Sequence, residues 1–574
     1  MVSIFSPLKK NIKTILIIIS LLVLEAYFTL QVPEYTSNIV DIGIANGDMA
    51  YIYSAGTTMI MLTILATITG ILVSFFSCKV ASEYSQNLRI LIFSKVLKFS
   101  NHEFNNISKG TLITRTTTDV SYIQMILEWV FDVIILAPIM TIGGVIKTIQ
   151  LGTNLYWIIL MILIIIIFFM YLLLKKTIPY LVIIDKMPDI KGMVREIITG
   201  MDVIKTFVRE DYESKKFKEI NDEYKEGRDS IRRYILFLNP LMTLHSSIMI
   251  VSILFFGSYQ IESGTILTGD LIAFIQYATQ IVSSILIIIS FAKSLPDLVL
   301  PIKRVKQVLD TELSIVDGEI GTINERKSTI EFKNVSFKYS KSEKDTLTNI
   351  NFKLEPGKTV AIIGGIGSGK STILNLIPRF QDPYAGEILI NGENIKNLKL
   401  KTLRERISLS PQNPCIFKGT VKSNMTLSDP NASDENIRYA LEKANANFIG
   451  SLDDEVLTEG SNFSGGQKQC LSIARSILKD ADFYLFDDSF SSFDLNTEKI
   501  IRNNLKELKD SSILIASQKI STIKDADEIL VLDDGQIVDR GSHNRLLESC
   551  EIYREIVKSQ SNTLNEGYDG STGR

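Results

Sequence analysis

Six long apolar runs fill the first half of the chain, at about 13–32, 53–77, 125–146, 154–174, 236–257 and 270–292. Each is close to the roughly 20 residues that an α-helix needs to cross the hydrocarbon core of a bilayer. No water reaches that core, so a spanning segment must pair its own backbone N–H and C=O groups. The runs are therefore read as six transmembrane helices. The plainest is Leu155–Leu174, which is unbroken apolar from Ile162 to Phe169.

Positive charge orients the bundle. Lys9, Lys10 and Lys13 precede or open the first run, which puts the N-terminus inside. The 33–52 and 258–269 loops carry no Lys or Arg, whereas 79–124 and 175–235 are long and rich in charge. The two long connections are thus cytoplasmic, and the three short ones face outward, with Lys147 an exception in the middle one. The first run is followed by no small-residue cleavage site, so it reads as a span and not a removable signal. Within the runs stand Glu25, Glu128, Asp132, Asn239, His245, Gln276 and Gln280. Polar groups at membrane depth face the bundle interior or a watery cavity. Whether these line a transport path or only bond helix to helix is open, and none names a cargo.

The long connections read as helices that continue past the membrane. Two stretches interrupt them, His102–Val120 around Gly110 and Val194–Glu210 around Gly200. Each is either a plain turn between helices or a short transverse helix.

From about residue 295 the composition turns polar. The domain organisation is read as a membrane domain over 1–310, a linker over 311–328, a second domain over 329–558 and an unstructured polar tail over 559–574. At 574 residues the chain exceeds what one core supports. A net charge of -3 gives no reason to expect a nucleic-acid partner. Four scattered cysteines, with no CxxC pair, fit a reducing compartment and argue against a structural zinc.

In the second domain the apolar run Val360–Ile363 stops at Gly364 and opens into Gly364-Gly365-Ile366-Gly367-Ser368-Gly369-Lys370-Ser371-Thr372. Strand, glycine loop and helix in this order make the phosphate-loop spacing credible. Glycines let the backbone N–H groups turn toward phosphates at a helix N-terminus. Lys370 would reach the β- and γ-phosphates of a nucleotide and Ser371 would hold Mg²⁺. Phe483–Asp487 is an apolar strand that ends in a carboxylate, suited to help hold the metal beside the loop. Tyr339 is either a strand aromatic of the core or a platform for adenine. Ser464-Gly465-Gly466-Gln467 opens another helix, a second anion-binding N-terminus that one nucleotide does not require. The economical reading gives it to another molecule's nucleotide.

Together these motifs resemble an ATP-binding-cassette exporter half-transporter of the multidrug type, from the first span to about Lys558. The fold implied is an N-terminal all-α polytopic membrane domain joined to a C-terminal α/β P-loop ATPase. The resemblance implies an adenine-stacking Tyr339, a glutamine loop at Gln412 that shares Mg²⁺ with Ser371 and Asp487, and a signature at Phe463–Gln467. It also implies a dimer-crossing loop ending at Asp494, coupling helices near Gly110–Asp119 and Gly200–Phe207, and ATP with Mg²⁺ as cofactors. Half-transporters of this kind dimerise head to tail over two ATPs, in the cytoplasmic membrane of a bacterium, with the N-terminus and the ATPase domain in the cytoplasm. Membrane lipid and a small amphipathic substrate are the other partners implied.

Two departures stand out. The family expects Glu after the strand Asp as the residue that polarises water, and this chain has Asp488. It expects His at the switch after the next strand, and this chain has Gln518. Asp is shorter than Glu by one carbon–carbon bond, about 1.5 Å, and a general base must come within about 3 Å of its water. Gln518 donates a neutral hydrogen bond where His could carry charge. Phe463 replaces the usual Leu, and Cys470 stands where Arg is common. The expectation is the degenerate-site subunit of a heterodimeric exporter, whose partner brings the intact Glu and His. The rivals are a homodimeric lipid or peptide exporter and a nucleotide-binding regulatory subunit.

Overall fold

The structure is a computed structural model. It describes residues 4–566 apart from 153, 166–167, 169–170, 173–174, 176–189, 237, 324–327, 340–341 and 509–510. Two compact units emerge: Met1–Lys98 with Ile107–Thr311, and Phe99–Asn106 with Glu312–Arg574.

The first unit is helical. Among the described residues, five helical stretches are long and apolar enough to cross a membrane: Ser6–Ile44, Met49–Val96, Lys109–Gln150, Pro240–Glu262 and Thr268–Phe291. The fourth expected span begins as the apolar helix Tyr156–Ile165, and much of its remainder lies outside the described residues. Leu155, Ile158 and Ile162 on it pack with Met249, Ile253, Phe274 and Ile281 of the last two spans. The 48 residues of Met49–Val96 measure about 72 Å, more than twice the hydrocarbon thickness, as a helix that continues past the membrane must.

Two short π-helical turns are described: Ile39–Ile44 ends the first helical stretch, and Val130–Ile134 interrupts the third. The second carries Asp132, which accepts a hydrogen bond from Ser74 Oγ at 2.8 Å. Glu25 lies against Gly70, whose missing side chain leaves room for the carboxylate. Gln124 donates to Glu128 at 3.0 Å, and His245 Nδ1 meets the Leu241 carbonyl at 2.7 Å. The side chain of Asn239 lies outside the described residues. Lys147, the outward-facing exception, is in a helix and not a loop; its ammonium pairs with Glu34 at 2.6 Å. Gly110, expected between helical pieces, is instead the second residue of the helix Lys109–Thr116, where Arg195's guanidinium occupies the space of a Cβ. Gly200 does separate two helices, Ile190–Thr199 and Met201–Thr206.

The second unit takes in the short helix Asn101–Asn106, which the sequence reading assigned to the membrane domain. Glu103 accepts from the Ser314 N–H at 2.8 Å and from the Ser100 N–H at 2.6 Å, and so ties the helix to the linker. The unit's strands are β1 (Ile330–Phe337), β2 (Leu347–Leu354), β3 (Thr359–Gly364), β4 (Ala385–Ile390), β5 (Glu393–Asn394) and β6 (Ile407–Ser410). They continue as β7 (Gly419–Thr420), β8 (Glu455–Val456), β9 (Phe483–Asp487), β10 (Ser512–Ser517), β11 (Glu528–Asp533) and β12 (Gln536–Gly541).

One sheet runs β2-β1-β4-β5 and is antiparallel. A second runs β12-β11-β3-β10-β9-β6, parallel except for the edge pair β11–β12, and β7 pairs with β8 alone. A strand buried on both faces reads as a continuous apolar run, which is why β3, β9 and β10 are fully or nearly fully buried along their length. The register aligns Ile363 with Ser517 and Asp487 with Ala516. The C-terminal ends of β3, β9 and β10 therefore share one edge of the sheet, where ligands bind in open parallel sheets.

The last helix, Glu551–Glu566, runs past residue 558 into the segment expected to be unstructured. It is held by the fully buried Tyr553 and by Ile552, Ile556 and Val557, which pack on the core. Residues 567–574 lie outside the described residues.

Candidate nucleotide site and signature helix

The loop after β3 is built for close approach. Gly367 and Gly369 both have positive φ, at 83° and 103°, a region that side chains disfavour. A Cβ on Gly364 would strike the Leu532 carbonyl, while Gly365 and Gly367 face open space. Lys370 begins the helix Lys370–Leu376, and its ammonium donates to the carbonyls of Gly364 at 2.8 Å and Gly365 at 2.7 Å. Burial lowers the pKa of Lys370, against the upward pull of Asp488 and Asp487. Ile366 is exposed at the tip of the loop, and Ser368 is buried with its hydroxyl unpaired among the described residues.

Ser371 Oγ donates to Asp487 Oδ1 at 2.8 Å. A hydroxyl and a carboxylate oxygen side by side at a phosphate loop are the hard donors that Mg²⁺ accepts, so these two residues fit the ion. Burial and the neighbouring Asp488 raise the pKa of Asp487, while Ser371 and Lys370 oppose the rise. Thr372, next along the helix, shares a 3.1 Å hydrogen bond with the Tyr339 hydroxyl. The Tyr339 ring stands edge-on to Phe337 at 4.9 Å, half-buried beside the phosphate loop.

Asp488 follows β9 with φ at 44°, a left-handed conformation that costs a non-glycine residue of order 1–3 kcal/mol and clusters at functional sites. Its N–H donates to the Ala516 carbonyl at 2.9 Å. Its carboxylate faces the Gln412 side chain and the Gln518 backbone N–H. Burial raises its pKa, countered by Lys370, by those two groups and by Lys519. The structure thus brings together Lys370, Ser371, Gln412, Asp487, Asp488 and Gln518, drawn from four separate sequence segments. Gln518 meets Asp488 through its main chain.

The signature forms a helix start of its own. Ser464 caps Gly465–Leu478 in a reciprocal box: Gln467 N–H donates to Ser464 Oγ at 3.3 Å and Ser464 N–H to Gln467 Oε1 at 2.8 Å. Gly465 faces open space, and Gly466 approaches the Ser492 carbonyl. Phe463 packs against Phe448 at 5.9 Å. Cys470 points the other way into the core, 5% exposed, and burial pushes its thiol up to about 11. It is an inert apolar packing residue. Asp494 caps the next helix, Leu495–Leu505, by accepting from the N–H groups of Asn496 and Thr497 at 3.0 and 3.1 Å.

One contact had no sequence signal. Gln560, on the last helix, donates to the Gln518 carbonyl at 2.7 Å and accepts from the Ile520 N–H at 2.8 Å. It stands in the segment read as an unstructured tail, 42 residues beyond the switch it touches.

A helical membrane unit followed by a phosphate-loop ATPase with a signature helix defines a membrane ATPase of the binding-cassette class. Comparison with known proteins agrees. Residues 15–285 match the ABC transporter transmembrane region, and residues 347–491 match the ABC transporter family model. The chain is 32% identical over 553 residues to the uncharacterised ABC transporter ATP-binding protein YfiB of Bacillus subtilis, covering 94% of this chain and 95% of that one. It is 34% identical over 383 residues to a putative multidrug export ATP-binding/permease protein of Staphylococcus aureus, covering 65% and 66%. A bacterial Atm1-family ABC exporter solved with ATP bound has the same fold, with a TM-score of 0.84 at 23% identity over 96% of this chain and 98% of that one. The chain belongs to the ABC transporter family and has the exporter fold.

Proposed function

We propose that this chain is one half of a heterodimeric exporter that moves amphipathic, drug-like or lipid-like molecules out of the cell at the expense of ATP. Its own phosphate loop binds ATP and hydrolyses it weakly, and its signature, Phe463–Gln467, completes the hydrolytic site of a partner subunit. ATP would draw Lys370 from the carbonyls of Gly364 and Gly365 onto phosphate oxygens, a charge-assisted exchange. Ser371, Asp487 and the Gln412 side chain would hold Mg²⁺, which neutralises phosphate charge when bound. Tyr339 would offer its ring to adenine.

The observation that carries the reading is Asp488. Its short carboxylate faces Gln412 and the Gln518 N–H, on a backbone already in a left-handed turn. A misplacement near 1 Å costs on the order of 100-fold in rate. The multidrug-export name of the S. aureus relative supports the substrate class. So does a cavity of about 230 Å³ in the membrane unit, lined by Leu136, Met140, Thr279, Gln280 and Ser283, apolar with a few uncharged polar groups.

The test is a pair of substitutions in the reconstituted heterodimer. Replacing the partner's catalytic glutamate by Gln abolishes turnover, whereas Asp488→Ala here changes it less than twofold. Equal loss from both would refute the assignment.

A further inference from the structure

We propose that Gln560 is a positioning residue for the switch, so that docking of the C-terminal helix sets the geometry of the nucleotide site. This rests on the reading of Asp488 and Gln518 given above. The Gln560 amide spans the turn Gln518-Lys519-Ile520: Nε2 donates to the Gln518 carbonyl and Oε1 accepts from the Ile520 N–H, at 2.7 and 2.8 Å. One partner is an acceptor and the other a donor, so a single amide orientation satisfies both. The peptide fixed in this way closes the end of β10, where the Ala516 carbonyl accepts the Asp488 N–H at 2.9 Å, and it turns the Gln518 N–H toward the Asp488 carboxylate. The last helix therefore reaches the base position through the end of β10, by the bonds of Gln560 on one side and the Asp488–Ala516 bond on the other.

The other side of the same turn is held from the dimer-crossing loop and the helix Leu495–Leu505 after it. Lys519 Nζ donates to the Ser491 carbonyl at 2.9 Å, and Thr522 Oγ1 to Glu498 Oε1 at 2.7 Å. Arg502 donates to the carbonyls of Ser521 and Thr522 at 2.6 and 2.7 Å. Gln560 is the hold that comes from the C-terminal helix, and it sits on the one residue whose N–H faces the base position. The helix does not need Gln560 in order to dock, because Ile552, Tyr553, Ile556 and Val557 already anchor it on the core. The amide is thus free to specialise in fixing the turn.

The test uses the full chain in lipid nanodiscs and reads single-turnover ATP hydrolysis alongside ATP affinity. Gln560→Ala is expected to slow hydrolysis about tenfold with affinity within twofold of wild type. Gln560→Glu keeps the acceptor for Ile520 but sets a carboxylate against the Gln518 carbonyl. It is expected to be slow near pH 8 and to regain rate relative to wild type toward pH 5, as the carboxyl group gains a proton to donate. In Gln560→Ala, which removes the acceptor, the Ile520 amide exchanges its hydrogen several-fold faster, whereas in Gln560→Glu it stays protected. An unchanged rate in Gln560→Ala, a loss confined to ATP affinity, or a Gln560→Glu profile parallel to wild type at all pH values would each overturn the proposal. Each rate is read as a ratio to wild type, so a fast wild type would defeat the weak-hydrolysis reading while the positioning role of Gln560 stands or falls separately.

Discussion

Asp488 and Asp487 are neighbouring carboxylates at the end of one strand, both raised in pKa chiefly by burial. A carboxylate whose folded pKa is raised is a penalty on the folded state above that pKa, and the penalty fades as pH falls through it and is gone below the unfolded pKa. Asp488→Asn should therefore raise the thermal midpoint of the nucleotide-free protein at neutral pH, and the gain should shrink in acid; melting curves across pH check this. Lys370→Ala removes the one ammonium in the loop and should weaken ATP binding about 10- to 100-fold, read by equilibrium titration. At this scale most of the site was legible, because phosphate chemistry fixes both residue type and spacing from Gly364 to Thr372. Gln560 was not: a glutamine on a polar helix has no pattern, and its meaning comes only from folding back onto Gln518. Cys470 was legible only as a departure, and its core position explains it.

Helices and strands divide by how strongly one force dictates them. The apolar runs could only be helices, and five emerge with the expected centres. The π-helical turns at Ile39–Ile44 and Val130–Ile134 left no trace in the sequence, since a local shift of the backbone hydrogen bonds by one residue is not written in residue type. The helix Asn101–Asn106 was likewise hidden, because it is held by Glu103 on the distant Ser314. The signature helix shows local and distant demands meeting in one residue. Ser464 is its cap, so Ser464→Ala should cost about 1 kcal/mol of stability by denaturant unfolding. If the signature serves a partner's nucleotide, the same change should cost the pair far more in turnover than it costs this chain in stability. On the buried face, Cys470→Ser places a hydroxyl in the core and should destabilise by about 1–3 kcal/mol, whereas Cys470→Ala should be milder.

At the scale of the whole molecule the account is one of divided labour. The loop that would grip nucleotide has Lys370, Ser371 and Asp487 in place, and the group beside it that would prepare water is a shortened one, facing Gln412 and the switch. The most direct test is steady-state ATP turnover of this chain alone, purified in nanodiscs, against the double substitution Asp488→Glu with Gln518→His. The account predicts turnover well below about 1 per second for the natural chain and a rise of at least about tenfold in the double variant. Natural-chain turnover at several per second, with no gain on restoring Glu and His, would contradict it.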